Sequence, residues 1–161
     1  MHRAHDYKGY IARWRAFSRV AGLRLRQLAV AHKLPVYFLR SGESGDARAI
    51  YISAGMHGDE PAGPAALLAW AKRNVEQLRS HPFLLFPCLN PAGLVANMRN
   101  DARGCDLNRT FRLVRPPSPI RELKQLIRGQ KFALSLSLHE DYDGAGVYVY
   151  EAHAGARALL G

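Results

Sequence analysis

Cysteine is scarce in this chain. Cys88 and Cys105 are the only two in 161 residues, one in an apolar run and one in a polar loop. They read as two reduced thiols rather than a disulfide framework. Long apolar runs are missing as well: none approaches the roughly 18 residues that span a bilayer. The opening Met1-His2-Arg3-Ala4-His5-Asp6 has no apolar segment of the kind that marks a secretory signal. These features point to a cytoplasmic protein with no membrane partner. There is no low-complexity tract and no internal repeat. Acids are few, 13 against 23 Lys and Arg, for a net charge of +10. Such an excess can serve nucleic acid, an anionic membrane or an acidic substrate. Here the basic residues are scattered rather than gathered into an arm or stripe, and no aromatic–basic interleaving suited to stacking bases stands out. No nucleic-acid partner is expected, and the charge reads as solvated surface.

What is present is ordinary globular material, 48% apolar and 22% charged, long enough for one domain with a core. Residues 1–46 read as an N-terminal helix and strand pair. Tyr10, Ile11, Trp14, Phe17 and Ala21 recur at helical spacing up to Gly22. Residues 23–30 and 34–39 read as strands, followed by a turn over 41–46. Residues 49–54 form an apolar strand run, and 61–78 a helix with Pro61 at its first position. Residues 83–89 suit a strand buried on both faces. From 92 to 117 the pattern vanishes into a long polar loop, of a kind usually functional or disordered. Ser118 caps and Pro119 opens a helix with Ile120, Leu123, Leu126 and Ile127 inward. Residues 132–139 alternate, with Phe132, Leu134, Leu136 and Leu138 on one face, and a last apolar segment covers 147–150. Strands alternating with helices imply an α/β domain with a mixed, largely parallel sheet flanked by helices.

In such sheets chemistry gathers at the carboxyl ends of the strands, where three stretches fall. In Gly55-Met56-His57-Gly58-Asp59-Glu60-Pro61 a His and a Glu stand three residues apart at a strand-to-helix corner, and the glycines allow close backbone approach. This is the form of a short-spaced metal-ligand pair with a third ligand far downstream. The same residues also suit a plain helix N-terminus whose Asp59 and Glu60 complement its dipole. His139, at the end of its strand on the small-residue face, completes two imidazoles and one carboxylate, the ligand set of a catalytic zinc. Within 97–109, Arg99 and Arg109 offer fixed guanidinium forks for a carboxylate or a developing oxyanion. Asn108 beside Arg109 can hold a terminal carboxylate from two sides. Asp106 can accept a hydrogen bond from the other nitrogen of a ligand imidazole. The alternative is a solvated basic loop.

Taken in order, Gly-x-His-Gly-Asp-Glu, Asn-Pro-x-Gly, Arg-x-Asn-x-x-Gly-x-Asp-Leu-Asn-Arg and Leu-His-Glu resemble the zinc carboxypeptidase superfamily. That superfamily includes the murein-peptide amidases and the succinylglutamate desuccinylase/aspartoacylase branch. The resemblance covers residues 48–151. It implies Zn²⁺ held by His57, Glu60 and His139, Arg99 polarising the scissile carbonyl, and Asn108 with Arg109 gripping a substrate carboxylate. The substrate it implies is a peptide or an N-acyl amino acid with a free carboxylate. The spacing from Arg99 to Asn108 looks more like the peptidase and murein-peptide branch. In one respect the chain departs from the family: the general-base Glu belongs on a strand well beyond the third ligand. Neither Glu140 nor Glu151 matches that place, so the last sheet strands and the base are expected beyond Gly161.

Overall fold

The computed structural model describes residues 3–42 and 48–150. Its five strands form one sheet in the order β1-β2-β4-β3-β5, where β1 is Arg24–Ala31, β2 Leu34–Ser41, β3 Ile50–Ala54, β4 Phe83–Phe86 and β5 Leu134–Leu138. β1 pairs antiparallel with β2, and β2 with β4. β4, β3 and β5 run parallel. The sheet is therefore mixed, with its parallel half carrying the stretches that hold the candidate chemistry.

Period-two alternation sorts the side chains into two cores. On one face Tyr37, Leu39, Ile52, Phe83 and Leu85 pack with Tyr10, Trp14 and Phe17 of α1 (Tyr7–Val20) and Leu67 and Leu68 of α2 (Ala62–Arg73). On the other, Val36, Phe38, Leu84 and Phe86 meet Met56, Leu107, and Ile120 and Leu123 of a later helix, Ile120–Ile127. β4 has all four residues buried, which explains why it reads as a continuous apolar run. It stops at Pro87, which has no amide hydrogen for the ladder.

Several expectations shift. The helix expected over 61–78 is two helices, α2 and α3 (Val75–Ser80), parted at Asn74. Asn74 has φ −120° and ψ 39°, and its side-chain amide donates to the carbonyl of Trp70 at 2.8 Å, competing with the helical ladder. Pro61 occupies the cap position rather than the first helical one. The stretch 92–117 is not structureless. Asn90 caps α4 (Pro91–Ala96), accepting the Gly93 amide at 2.9 Å, with Pro91 opening the helix. A 3₁₀ helix, Leu107–Arg112, follows. The next helix is α5, the Ile120–Ile127 helix named above. It has Pro119 at its cap position and no side-chain cap bond, so Ser118 does not cap it. Residues 147–150 form no strand and lie exposed, Val147 and Tyr150 almost fully. Glu151 and most of the turn 41–46 lie outside the described residues. Among those described, no helix is long and apolar enough to cross a membrane.

Candidate metal centre

β3, β4 and β5 end on the same edge of the sheet. Beyond β3 the backbone turns at Gly55, in the left-handed region at φ 61°. The Leu89 and Asn90 amides then donate to Ala54 and Gly55, extending the ladder past both strands and delivering His57 to the corner. Gly58 follows, pressed against α4 and donating its amide to Met98 at 3.1 Å. β5 brings His139 to the same edge.

His57, Glu60 and His139 meet there, each offering one ligand atom within 4.8 Å of the others. The Glu60 carboxylate sits between the two rings: Oε1 is 2.6 Å from His57 Nδ1, and Oε2 is 2.8 Å from His139 Nδ1. The ring centroids are 4.8 Å apart. His57 and Glu60 are buried, whereas the His139 side chain is 34% exposed. The opposite nitrogens have neighbours too. Asp106 Oδ1 stands 3.3 Å from His57 Nε2, off the line of a well-formed hydrogen bond, and Ser137 Oγ is 3.3 Å from His139 Nε2. Burial alone would push the Glu60 carboxyl up, but hydrogen bonds from His139 and His57 outweigh it and hold it at about 2. The group is thus a carboxylate at neutral pH. Two imidazole nitrogens and an ionised oxygen at this separation fit a divalent ion with bonds of about 2 Å.

Arg99 reaches the same place from the loop after α4, with Nη1 3.6 Å from Glu60 Oε1 and Nη2 3.3 Å from Asp106 Oδ2; its side chain is 46% exposed. Asp106 caps the 3₁₀ helix by accepting the Asn108 amide at 3.0 Å. Burial works against its negative charge, yet His57, the Asn108 amide and Arg99 together hold its pKa below the usual range. Asn108 and Arg109 lie in the first turn of that helix, Arg109 exposed. Glu140 faces away from the centre of the site: its carboxylate accepts the Ala62 amide at 3.0 Å.

Two supporting residues have no role in the sequence reading. Asn90, besides capping α4, donates from Nδ2 to the Arg99 carbonyl at 3.2 Å; its Asn-Pro pair is a recognisable cap signature. Asp101, 3% exposed, knits the loop. Its Oδ1 accepts the Arg103 and Cys105 amides, both at 2.9 Å, and its Oδ2 is 2.9 Å from His32 Nε2 on the β1–β2 turn. Burial opposes the charge, but the Cys105 amide and His32 hold the carboxyl below its ordinary 3.8. A depressed native pKa stabilises the fold at pH above the unfolded value, and that contribution is lost as pH falls through the native one. Asp101→Asn is therefore expected to cost about 1.5–3 kcal/mol near neutrality, the usual worth of hydrogen bonds to a buried charge. The deficit should shrink in acid, as read by urea unfolding at about pH 7 and about pH 3. A deficit of the same size at both pH values would mean that the charge does not hold the loop.

The mixed sheet with its flanking helices has the fold of solved metallo-carboxypeptidases. The chain superposes on the metallo-carboxypeptidase of Burkholderia cenocepacia with a TM-score of 0.73 at 19% identity, covering 84% of this chain and 41% of that one. On the metallo-carboxypeptidase of Pseudomonas aeruginosa, solved with (2-guanidinoethylmercapto)succinic acid, it scores 0.64 at 23% identity, covering 81% and 39%. The chain belongs to the succinylglutamate desuccinylase/aspartoacylase catalytic domain family, which it matches over residues 46–157. It is also 40% identical over 60 residues to murein peptide amidase A of Escherichia coli, a match spanning 37% of this chain and 24% of that protein. The aligned part is thus well under two thirds of each of these relatives.

Proposed function

We propose that the chain carries the zinc-binding part of a hydrolase that cleaves an amide bond near a free carboxylate, of the carboxypeptidase or murein-peptide amidase type. The observation that carries this reading is the Glu60 carboxylate held between His57 Nδ1 and His139 Nδ1 with the Arg99 guanidinium alongside. His57, Glu60 and His139 would hold the ion. When bound, zinc supplies Lewis acidity, lowering the pKa of a water and polarising the scissile carbonyl. The chain's own residues do the rest. The half-exposed Arg99 guanidinium faces the negative charge that develops on the carbonyl oxygen. Asn108 and Arg109 hold the substrate carboxylate, and Asp106 orients the His57 ring from behind. Glu140 is engaged with the Ala62 amide and is not assigned the role of general base. The two free thiols suit a reducing compartment, so a cytoplasmic site of action belongs to the same reading.

The family match favours a second reading, N-acyl amino acid deacylation at the same site. The test is to load the full-length protein, rather than residues 1–161 alone, with zinc and assay it on a peptide with a free C-terminal carboxylate, on N-succinylglutamate and on N-acetylaspartate. Peptide hydrolysis abolished by a chelator is the expected result. Turnover of the acyl amino acids alone would transfer the assignment to the second reading. Zinc bound without turnover of any substrate would leave a module that only binds carboxylate-terminated ligands.

A further inference from the structure

We propose that Glu140 is a positioning residue that keeps His139 in place against Glu60 by serving as the N-cap that α2 lacks. The inference rests on the zinc reading above. α2 starts at Ala62 behind Pro61, and no side chain at the cap position accepts its first amides. Proline cannot do what Ser, Asp or Asn does there. The Glu140 carboxylate, 78 residues away in sequence, takes the Ala62 amide at 3.0 Å, at the helix end where the dipole favours negative charge. The backbone amide of the same residue donates to Glu60 Oε2 at 3.3 Å. Glu140 is thus tied at both ends, its side chain to α2 and its backbone to the carboxylate that the two imidazoles share. His139 is the residue just before it.

That tie matters because burial does little to place His139. Among the described residues β5 pairs only with β3, and the ring is partly exposed. The strand end instead sits closely on α2, where a Cβ at Gly63 would stand 3.1 Å from the Leu138 carbonyl oxygen. Glu140 also lines an open cleft of ≈ 240 Å³ with Tyr10, Arg13 and Ala62. Water can therefore take over the Ala62 amide when the carboxylate is removed, sparing the fold. A water molecule there is not covalently joined to the residue after His139, so it cannot hold the strand end.

The test compares wild type, Glu140→Ala and Glu140→Gln by zinc affinity (competition with a chromophoric chelator), by melting of the metal-free proteins and by exchange of the Ala62 amide. Glu140→Ala is expected to bind zinc roughly 10–100-fold more weakly, as when a residue supporting a ligand is lost. Its metal-free melting temperature should fall by no more than about 2–4 °C, the shift of a single weak cap. Glu140→Gln, which keeps an acceptor oxygen, should return affinity to near the wild-type value. Wild-type affinity in Glu140→Ala would overturn the proposal, as would a zinc loss that comes with a far larger fall in melting temperature, or a Gln variant as weak as the Ala variant. If the wild type itself takes up no zinc, the zinc reading has failed, and the brace is judged on the metal-free proteins. Faster Ala62 exchange in Glu140→Ala that Gln restores then supports it, and unchanged exchange overturns it.

Discussion

Protein carrying His57→Ala is expected to lose zinc. The His57 ring is 3% exposed, its Nδ1 lies 2.6 Å from Glu60 Oε1, and Asp106 stands 3.3 Å behind Nε2. Alanine removes one of three donors and leaves the Glu60 carboxylate beside His139 and Arg99. Losing a residue that merely supports a ligand costs about 10–100-fold in affinity, so losing a ligand should exceed about 100-fold. Elemental analysis of the purified variant should find almost no zinc, and the added stability that zinc confers on the wild type by mass action should vanish. His57→Ala also opens a gap in the interior, so His139→Ala is the cleaner companion. Its ring is partly exposed, and it should lose zinc with little loss of metal-free stability. Zinc retained at the wild-type level in both variants would remove the basis of the hydrolase reading.

Gly58→Ala should damage the fold and the site together. A Cβ at this position would fall 1.9 Å from the Gly93 carbonyl carbon, 2.3 Å from the Leu94 nitrogen and 2.4 Å from Gly93 Cα. All three are backbone atoms of α4, so no side-chain rotation relieves the overlap. Either the His57–Glu60 corner moves or the first turn of α4 does, and the second movement would strain the Asn90 cap and its hold on the Arg99 carbonyl. Overpacking costs typically 1–3 kcal/mol, occasionally more, and a backbone clash belongs at the upper end. At about 2–4 °C per kcal/mol for a domain of this size, about 3 kcal/mol lowers the melting temperature by roughly 6–12 °C. Zinc affinity should fall with it. A variant that melts within about 2 °C of wild type would show that the contact yields easily.

Parts of the fold were legible because they are dictated locally. The alternation of Leu134, Leu136 and Leu138, the apolar run into Phe86 and the spacing of Tyr10, Trp14 and Phe17 each report a period set by backbone geometry, and the structure has a strand, a buried strand and a helix there. The errors fall where local signals compete. Residues 61–78 carry helical periodicity throughout, yet the Asn74 amide bonds back to Trp70 and parts α2 from α3. Residues 147–150 have the composition of a strand but no partner strand among the described residues. α4 was concealed by a stretch that looked uniformly polar, although Asn90 and Pro91 announced it.

From the sequence alone came the class of the fold, the types of the candidate ligands and the separation of His57 from Glu60, because side-chain chemistry and short-range spacing are properties of neighbouring residues. Only tertiary structure decided which distant groups touch: Glu60 between His57 and His139, Asp101 against His32, and Glu140 on the first turn of α2. A hydrogen bond acts over about 3 Å, and whether residues far apart in the chain come that close depends on strand order and helix packing, which no local period encodes.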